Sequence, residues 1–182
     1  MQIIALTGNK GSGKDTVASL IQNRIPGSRT IAFADPIKKV IQHIFDLDSK
    51  DTEQYDKFKR DLVMYNLPGY FSHRVPARHI VREIGMLMRS YDDNQFCQYV
   101  AGHMLREPNH LWIVTDLRFG NELNMLRNMG AVVVRVKRPG YKPDGHITEQ
   151  GFEDSVIDHD IINDKDIKAL ELEVEALMKQ IV

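Results

Sequence analysis

One cysteine, Cys97, stands in 182 residues, so no disulfide can form within the chain. That usage suits a reducing compartment such as the cytosol. No apolar run approaches the roughly 20 residues that cross a bilayer, and no repeat, low-complexity tract or polar linker divides the chain. An excess of one charge is also missing. Lys plus Arg number 24 and Asp plus Glu 25, a net charge of −1. This removes the global electrostatic case for nucleic acid or an anionic membrane as partner and leaves room for a local basic cleft that takes a small anion. Met1 to Gly8 lack a basic leader and are too short in apolar residues for a signal peptide; they read as a first buried strand. What is present is a hydrophobic fraction of 42% beside 27% charged residues, enough for a full core in one ordinary domain and too much for a disordered chain.

The periodicities alternate. Ile3 to Leu6 is a short apolar run suited to a buried parallel strand, and Asp15 to Arg24 carries Val17, Ala18, Leu20 and Ile21 at helical spacing, closed by Pro26-Gly27. Thr30 to Phe33 reads as a second strand. Asp35 is the expected N-cap of a helix with Pro36 in its first turn, running through Phe45. Asp46 to Ser72 is polar, with a short helix expected near Tyr55 to Tyr65 and Pro68-Gly69 as a breaker. Helices follow over Ala77 to Arg89 and Asn94 to Leu105. Next come a strand over Leu111 to Thr115, a helix over Asn121 to Met129 and a β-branched strand over Ala131 to Val136. Pro139 to Gly151 reads as a loop, Val156 to Ile162 holds a last short strand, and Ile167 to Ile181 carries the apolar stripe of a final helix. Alternating strands and helices predict an α/β fold: a parallel sheet with helices on both faces. The long helical stretch between the second and third strands predicts a substrate-binding insertion.

Gly8-Asn9-Lys10-Gly11-Ser12-Gly13-Lys14-Asp15-Thr16 has the glycine and lysine spacing of a phosphate-binding loop, between a strand and a helix as that loop requires. Glycines let backbone N–H groups turn inward around a phosphate, the helix N-terminus adds positive potential, and Lys14 is placed to reach the β and γ phosphates. A glycine-rich turn with a surface lysine is the bland alternative. Asp15 stands where such loops carry a magnesium-binding hydroxyl, with Thr16 one place later. A carboxylate beside a triphosphate needs a cation between them, so Asp15 reads as a partner of magnesium, an orienter of the acceptor phosphate, or an acid stabilising the helix start.

Leu111-Trp112-Ile113-Val114-Thr115-Asp116 is an apolar strand ending in a carboxylate, the form of a Walker-B strand whose acid holds magnesium or its waters. Arg118, Asn121 and Glu122 follow at once and read equally as a capped helix start. A phosphate loop does not name the reaction. Three features favour a small kinase: a short chain, no convincing guanine-specificity motif around Asn163 to Asp166, and arginines at 74, 78, 82 and 89 in the insertion. Arg78, Arg82 and Arg89 recur at helical spacing on broadly one face, suited to bidentate contact with a second phosphate. Phe96 and Tyr99 follow as aromatics for a base or for the core.

Taken together, these segments resemble the bacteriophage deoxynucleoside monophosphate kinases along nearly the whole chain. The specific parts are the Lys-Asp-Thr variant at 14–16 and Asp116-Leu117-Arg118-Phe119-Gly120-Asn121-Glu122. Phe33 to Lys38, Arg82-Glu83-Ile84-Gly85 with Arg89, His146-Ile147-Thr148-Glu149 and Ile162-Asn163-Asp164 add to it. Two positions depart, Gly85-Met86-Leu87 for the family's frequent Gly-Thr-Glu and Phe96 for its frequent tryptophan. The resemblance implies a single P-loop kinase domain over 1–182, with a helical acceptor-binding region at about 35–110 and a lid loop at about 138–152. It implies transfer of the ATP γ-phosphoryl group to a deoxynucleoside monophosphate, giving the diphosphate for phage DNA synthesis. A kinase of another phosphorylated small molecule (phosphomevalonate or dephospho-coenzyme A) and a non-catalytic nucleotide switch are the alternatives. Lys14, Asp15, Asp116 and Arg82 are the expected catalytic residues. ATP would be held by Gly11, Ser12, Gly13, Lys14, Asp15, Thr16 and Arg138, and Mg2+ by Asp15, Thr16 and Asp116. Lys38, Arg78, Arg82, Gly85, Arg89, Phe96 and Arg118 would take the acceptor, Phe96 by stacking on its base. Arg138 or Lys142 would close the lid, with His146 supporting it. The expected partners are the monophosphate and at most a second copy of the chain, with no nucleic acid and no membrane. The expected location is the cytoplasm, the host's if a phage encodes the chain.

Overall fold

Five parallel strands form the centre of the computed structural model, which describes residues 1–45, 62–67, 71–140 and 151–181, with backbone alone for 62–67 and 71–78. The elements are β1 (Gln2–Thr7), α1 (Lys14–Arg24), β2 (Arg29–Ile31), α2 (Asp35–Ile44), β3 (Leu62–Leu67), β4 (Phe71–Pro76), α3 (Ala77–Tyr91), α4 (Gln95–Arg106), β5 (Leu111–Val114), α5 (Gly120–Asn128), β6 (Val132–Lys137), β7 (His159–Ile162) and α6 (Ile167–Ile181). The central sheet runs β2-β5-β1-β6-β7, parallel throughout. β1 sits in the middle, with β5 and β2 on one side and β6 and β7 on the other. The carboxyl end of β1 is therefore the point where ligand crevices of such sheets form.

The chain divides into two compact units, Met1–Phe33 with Cys97–Val182, and Ala34–Phe96. In the first, strand alternation builds two apolar faces. Ile4 and Leu6 of β1 pack with Ile113, Val134, Val136 and Ile161, and Val17, Ile21, Leu170, Val174 and Leu177 of α1 and α6 cover them. Ile3, Ala5 and Val133, also buried, point to the opposite face by the same two-residue period. Val100 and Met104 of α4 and Leu123 and Leu126 of α5 are among the buried residues of these helices. The two helices meet where the Asn121 amide contacts Cys97 Sγ at 3.7 Å. The α/β fold with helices on both faces of a parallel sheet is what the strand and helix pattern predicts.

The second unit departs from the expected all-helical insertion. β3 and β4 pair as an antiparallel hairpin in full register from Leu62↔Pro76 to Leu67↔Phe71. The short helix expected near Tyr55 to Tyr65 is thus a strand from Leu62 onward, and its earlier part lies outside the described residues. Two runs rich in Val, Tyr and Phe flanking Pro-Gly are the usual mark of a hairpin; polarity around them masks it. The N-cap of α2 is Ala34 rather than Asp35. Asp35 instead lies in the first turn, where its charge favours the helix N-terminus, beside Pro36.

Charge holds the outer strand of the sheet. Asp158, just before β7, accepts from Arg127 at 2.6 and 3.1 Å and from the Val133 N–H at 2.7 Å. Asp160 accepts from Arg135 at 2.7 and 3.0 Å and from Lys137 at 2.8 Å. The Arg135 hydrogen bonds outweigh the cost of burial and hold the Asp160 carboxyl at about 2. A depressed pKa contributes stability that is complete above the unfolded carboxylate value of about 4 and is lost as pH falls through the folded one. Asp160→Asn should therefore lower the denaturant midpoint at pH 7 and flatten its fall between about pH 4 and 2. Denaturant titrations of both proteins at several pH values check this; equal slopes in that window would show that Asp160 is not the titrating support.

Candidate active site

The turn after β1 is shaped by the absence of side chains. At Gly8, with φ +135°, a Cβ would overlap the Val136 carbonyl oxygen, so only glycine lets the chain leave β1 beside β6. Gly11 and Gly13 also take positive φ, +73° and +102°. Gly13 is the N-cap of α1, and among the described residues no side chain caps that helix start, which suits anion binding by the first-turn N–H groups. The Ser12 N–H donates to the Asn9 carbonyl at 3.2 Å, closing the turn.

Lys14 begins α1 and is 8% exposed. Its Nζ donates to the carbonyls of Gly8 and Asn9 at 2.8 and 2.9 Å, so the ammonium is drawn back over the loop it belongs to. Ser12 is 1% exposed, and its Oγ has no hydrogen-bond partner among the described residues. A buried hydroxyl without a partner is costly unless a ligand completes it, and an oxyanion inside the loop has that chemistry. Asp15 and Thr16 lie on the exposed face of the first turn. Arg138, just past β6, donates to the Gly11 carbonyl at 3.4 Å, which brings it to the loop. Lys142 and His146 lie outside the described residues, as does most of the expected lid.

Asp116 follows β5, whose neighbour is β1. The Leu117 N–H donates to the Leu6 carbonyl at 3.2 Å, setting Asp116 beside the end of β1, where the phosphate loop starts. Asp116 Oδ1 accepts from the Phe33 N–H at 2.7 Å. That bond uses one of the roughly four acceptor positions of a carboxylate. The turn carrying Asp116 and Arg118 is held by Glu122, 1% exposed, whose Oε2 accepts from the Arg118 and Phe119 N–H groups at 2.9 and 3.0 Å. Glu122 thus does in the structure what its capped-helix reading implies.

In the Ala34–Phe96 unit, Arg78, Arg82 and Arg89 share the uninterrupted helix α3; the side chains of Arg74 and Arg78 are outside the described set. Lys38 pairs with Asp35 at 3.0 Å on its own helix. Gly85 is buried, and a Cβ there would press on Ile37 Cδ1 at 3.0 Å, so its smallness serves the packing of α3 on α2. The expected stacking of Phe96 on a base is corrected. Its ring is 1% exposed, and the Arg89 guanidinium lies over one face, 4.7 Å from the centroid. This is a cation–π contact inside the fold, and it uses the Phe96 ring for packing.

Sequence reading passed over Asn163 as a site residue. Its Nδ2 donates to the Ser12 carbonyl at 2.9 Å from just beyond β7. The signal available was its position at the carboxyl end of the last parallel strand, the edge where ligands of such sheets bind.

The buried Glu122 carboxylate accepts from two backbone N–H groups at the start of its helix. Glu122→Ala should cost about 2–3 kcal/mol of stability, read from urea unfolding at neutral pH, and Glu122→Gln should recover part of it because an amide oxygen still accepts. Equal midpoints for wild type and Glu122→Ala would remove the carboxylate from this role.

A sequence model of the family described as deoxynucleotide monophosphate kinase matches residues 2–95 and 87–174. The chain is 27% identical over 183 aligned positions to a protein of Acanthamoeba polyphaga mimivirus, provisionally named deoxynucleotide monophosphate kinase, covering 92% of this chain and 91% of that one. It is 29% identical over 151 positions to the deoxynucleotide monophosphate kinase of Enterobacteria phage T4, covering 79% of this chain and 60% of the phage protein. In fold it is similar to the dephospho-CoA kinase of Campylobacter jejuni, with a TM-score of 0.54 at 15% identity over 100% of this chain and 98% of that one. The glycine turn, the buried Lys14 and the strand-end Asp116 therefore sit in a chain that belongs to the deoxynucleotide monophosphate kinase family.

Proposed function

We propose that the protein transfers the γ-phosphoryl group of ATP to a deoxynucleoside 5′-monophosphate. The observation that carries this reading is the Lys14 ammonium, mostly buried and held by two carbonyls of a glycine loop at the centre of a parallel sheet. In the reaction, an oxygen of the acceptor phosphate attacks the γ-phosphorus. The bond from that phosphorus to the β–γ bridging oxygen breaks, and ADP leaves with the electron pair. Such a transfer needs little covalent help from protein; it needs alignment and compensation of charge.

The donor phosphates are assigned to the loop. The N–H groups of Gly11 to Thr16 would cradle them, Ser12 Oγ would find its missing partner in a phosphate oxygen, and Lys14 would exchange loop carbonyls for the β and γ oxygens. Arg138 adds a second cation at the loop. Magnesium is typically held by one or two carboxylates plus phosphate oxygens and water. Asp15 and Asp116, with Thr16, have the chemistry for that, and the metal would draw charge from the transferring group.

The acceptor phosphate is assigned to Arg78 and Arg82, one helical turn apart on α3, with Lys38 and Arg118 as further cations. Arg118 follows Asp116 on the turn that Glu122 holds. Two guanidinium groups can take the oxygens of a dianionic phosphate in forked pairs. The reading extends to the host-cell cytoplasm and a place in phage DNA precursor supply, and the phage and viral relatives support it.

Two expectations test the assignment. ATP with a panel of deoxynucleoside and ribonucleoside monophosphates should yield diphosphates, and Lys14→Ala should lower the rate by on the order of 10²-fold or more while the protein stays folded. A folded Lys14→Ala protein with wild-type turnover would sink the donor assignment. Arg82→Ala should raise KM for every accepted monophosphate by roughly ten-fold or more and leave KM for ATP nearly unchanged. An Arg82→Ala defect confined to ATP would move α3 to the donor side.

A further inference from the structure

Asn163 reaches into the phosphate loop from the far end of the chain. It follows β7 directly, and its N–H donates to the Lys137 carbonyl at 2.8 Å, which anchors it to the end of β6. Its Nδ2 donates to the Ser12 carbonyl at 2.9 Å across 151 residues of sequence. The same nitrogen occupies the space that a Cβ on Gly13 would need. Gly13 therefore has two reasons to be glycine: its φ of +102° and the presence of Asn163.

We infer that Asn163 is a positioning residue for donor binding, fixing the peptide between Ser12 and Gly13; this rests on the reading of the loop as the ATP phosphate site. A trans peptide is planar, and its C=O and N–H point in opposite directions. Holding the Ser12 oxygen toward β7 therefore fixes the Gly13 N–H on the other side of the peptide, away from Asn163. Helix α1 does not settle this peptide by itself. The first α1 bond runs from the Val17 N–H to the Gly13 carbonyl at 2.9 Å, one peptide further along. Glycine at 13 makes rotation of the Ser12–Gly13 peptide cheap, so an outside donor is what selects one orientation. A carbonyl only accepts, so the side chain must present an N–H to it. Asparagine does so, while aspartate at the same place would set oxygen against oxygen.

The preorganised N–H matters most when charge arrives. An amide already aimed needs no reorientation as it meets an oxyanion, whereas a rotating one must be ordered at the moment of binding. A residue that merely ends β7 would have a different signature: less folded protein and lower kcat, with an unchanged affinity for ATP.

The test uses the full-length protein and its variants Asn163→Ala, Asn163→Ser and Asn163→Asp. ATP binding is measured by calorimetry, KM for ATP and for the best monophosphate by steady-state kinetics, and Tm by thermal melting. Asn163→Ala and Asn163→Ser should weaken ATP binding by roughly three- to ten-fold, the worth of one hydrogen bond, and Asn163→Asp by about ten-fold or more. KM for the monophosphate should stay within about two-fold, since the interaction lies at the donor loop. Unchanged ATP affinity in folded Asn163→Asp, a fall in kcat with no change in KM for ATP, or a failure of all three variants to fold would overturn the proposal. A wild-type protein that binds no ATP would instead overturn the donor reading on which it stands.

Discussion

The way β1 leaves the sheet constrains everything at the carboxyl edge of the strands. β1 lies between β5 and β6 with its residues buried on both faces, so the chain has no room to turn except over the carboxyl edge. It does so at Gly8, where a Cβ would overlap the Val136 carbonyl oxygen of the neighbouring strand. The close approach of loop to β6 brings Arg138, one residue past β6, to Gly11. The same edge brings Asn163, past β7, to Ser12. Parallel strands all end on one side, so three sequence-distant segments converge there without any long connection having to be ordered.

The supporting contacts follow one pattern. The Thr115 and Leu117 N–H groups donate to the carbonyls of Ile31 and Leu6, which carries the β5 ladder one step beyond the strand and holds Asp116 between its neighbours. Glu122 then closes the turn by accepting from Arg118 and Phe119. The buried acid is expensive to desolvate, and its two backbone donors compensate that cost. The surface pairs at the outer strand work differently. Asp158 and Asp160 are partly exposed, and their bonds to Arg127, Arg135 and Lys137 fasten an edge strand that would otherwise rest on one ladder.

Much of this was legible in the chain itself. The apolar runs at Ile3 to Leu6, Leu111 to Val114 and Val132 to Val136 carry no competing helical period, and glycine spacing before Lys14 has few other physical uses. The hairpin of β3 and β4 is harder to find in the sequence, because its strands lie in a polar stretch with no clear two-residue alternation of apolar residues. Phe96 was read toward a ligand because sequence shows an aromatic but not what covers it; Arg89 covers it in the fold. Gly85 looked like a substrate contact for the same reason, while its neighbour across the helix pair is Ile37. The Asn163–Ser12 bond joins the two ends of the chain, and such pairs leave no local signature. They follow only once strand order is known.

Lys14 and Asp116 show why the backbone is the useful support for a charged site. A buried ammonium without partners would cost several kcal/mol, about the penalty for any desolvated charge that keeps its proton. Lys14 meets that cost with the carbonyls of Gly8 and Asn9, and Asp116 leans on the Phe33 N–H. These peptide groups have no net charge, so they fix position without cancelling the charge they hold. A carboxylate in place of the two carbonyls would bind the ammonium with charge-assisted strength, and an incoming phosphate would have to break that pair. Carbonyl partners can be exchanged for phosphate oxygens at small net cost, because one set of acceptors replaces another. Neutral peptide partners thus order the loop and its cation without adding a counter-charge of their own, and order set in advance is what electrostatic preorganisation requires.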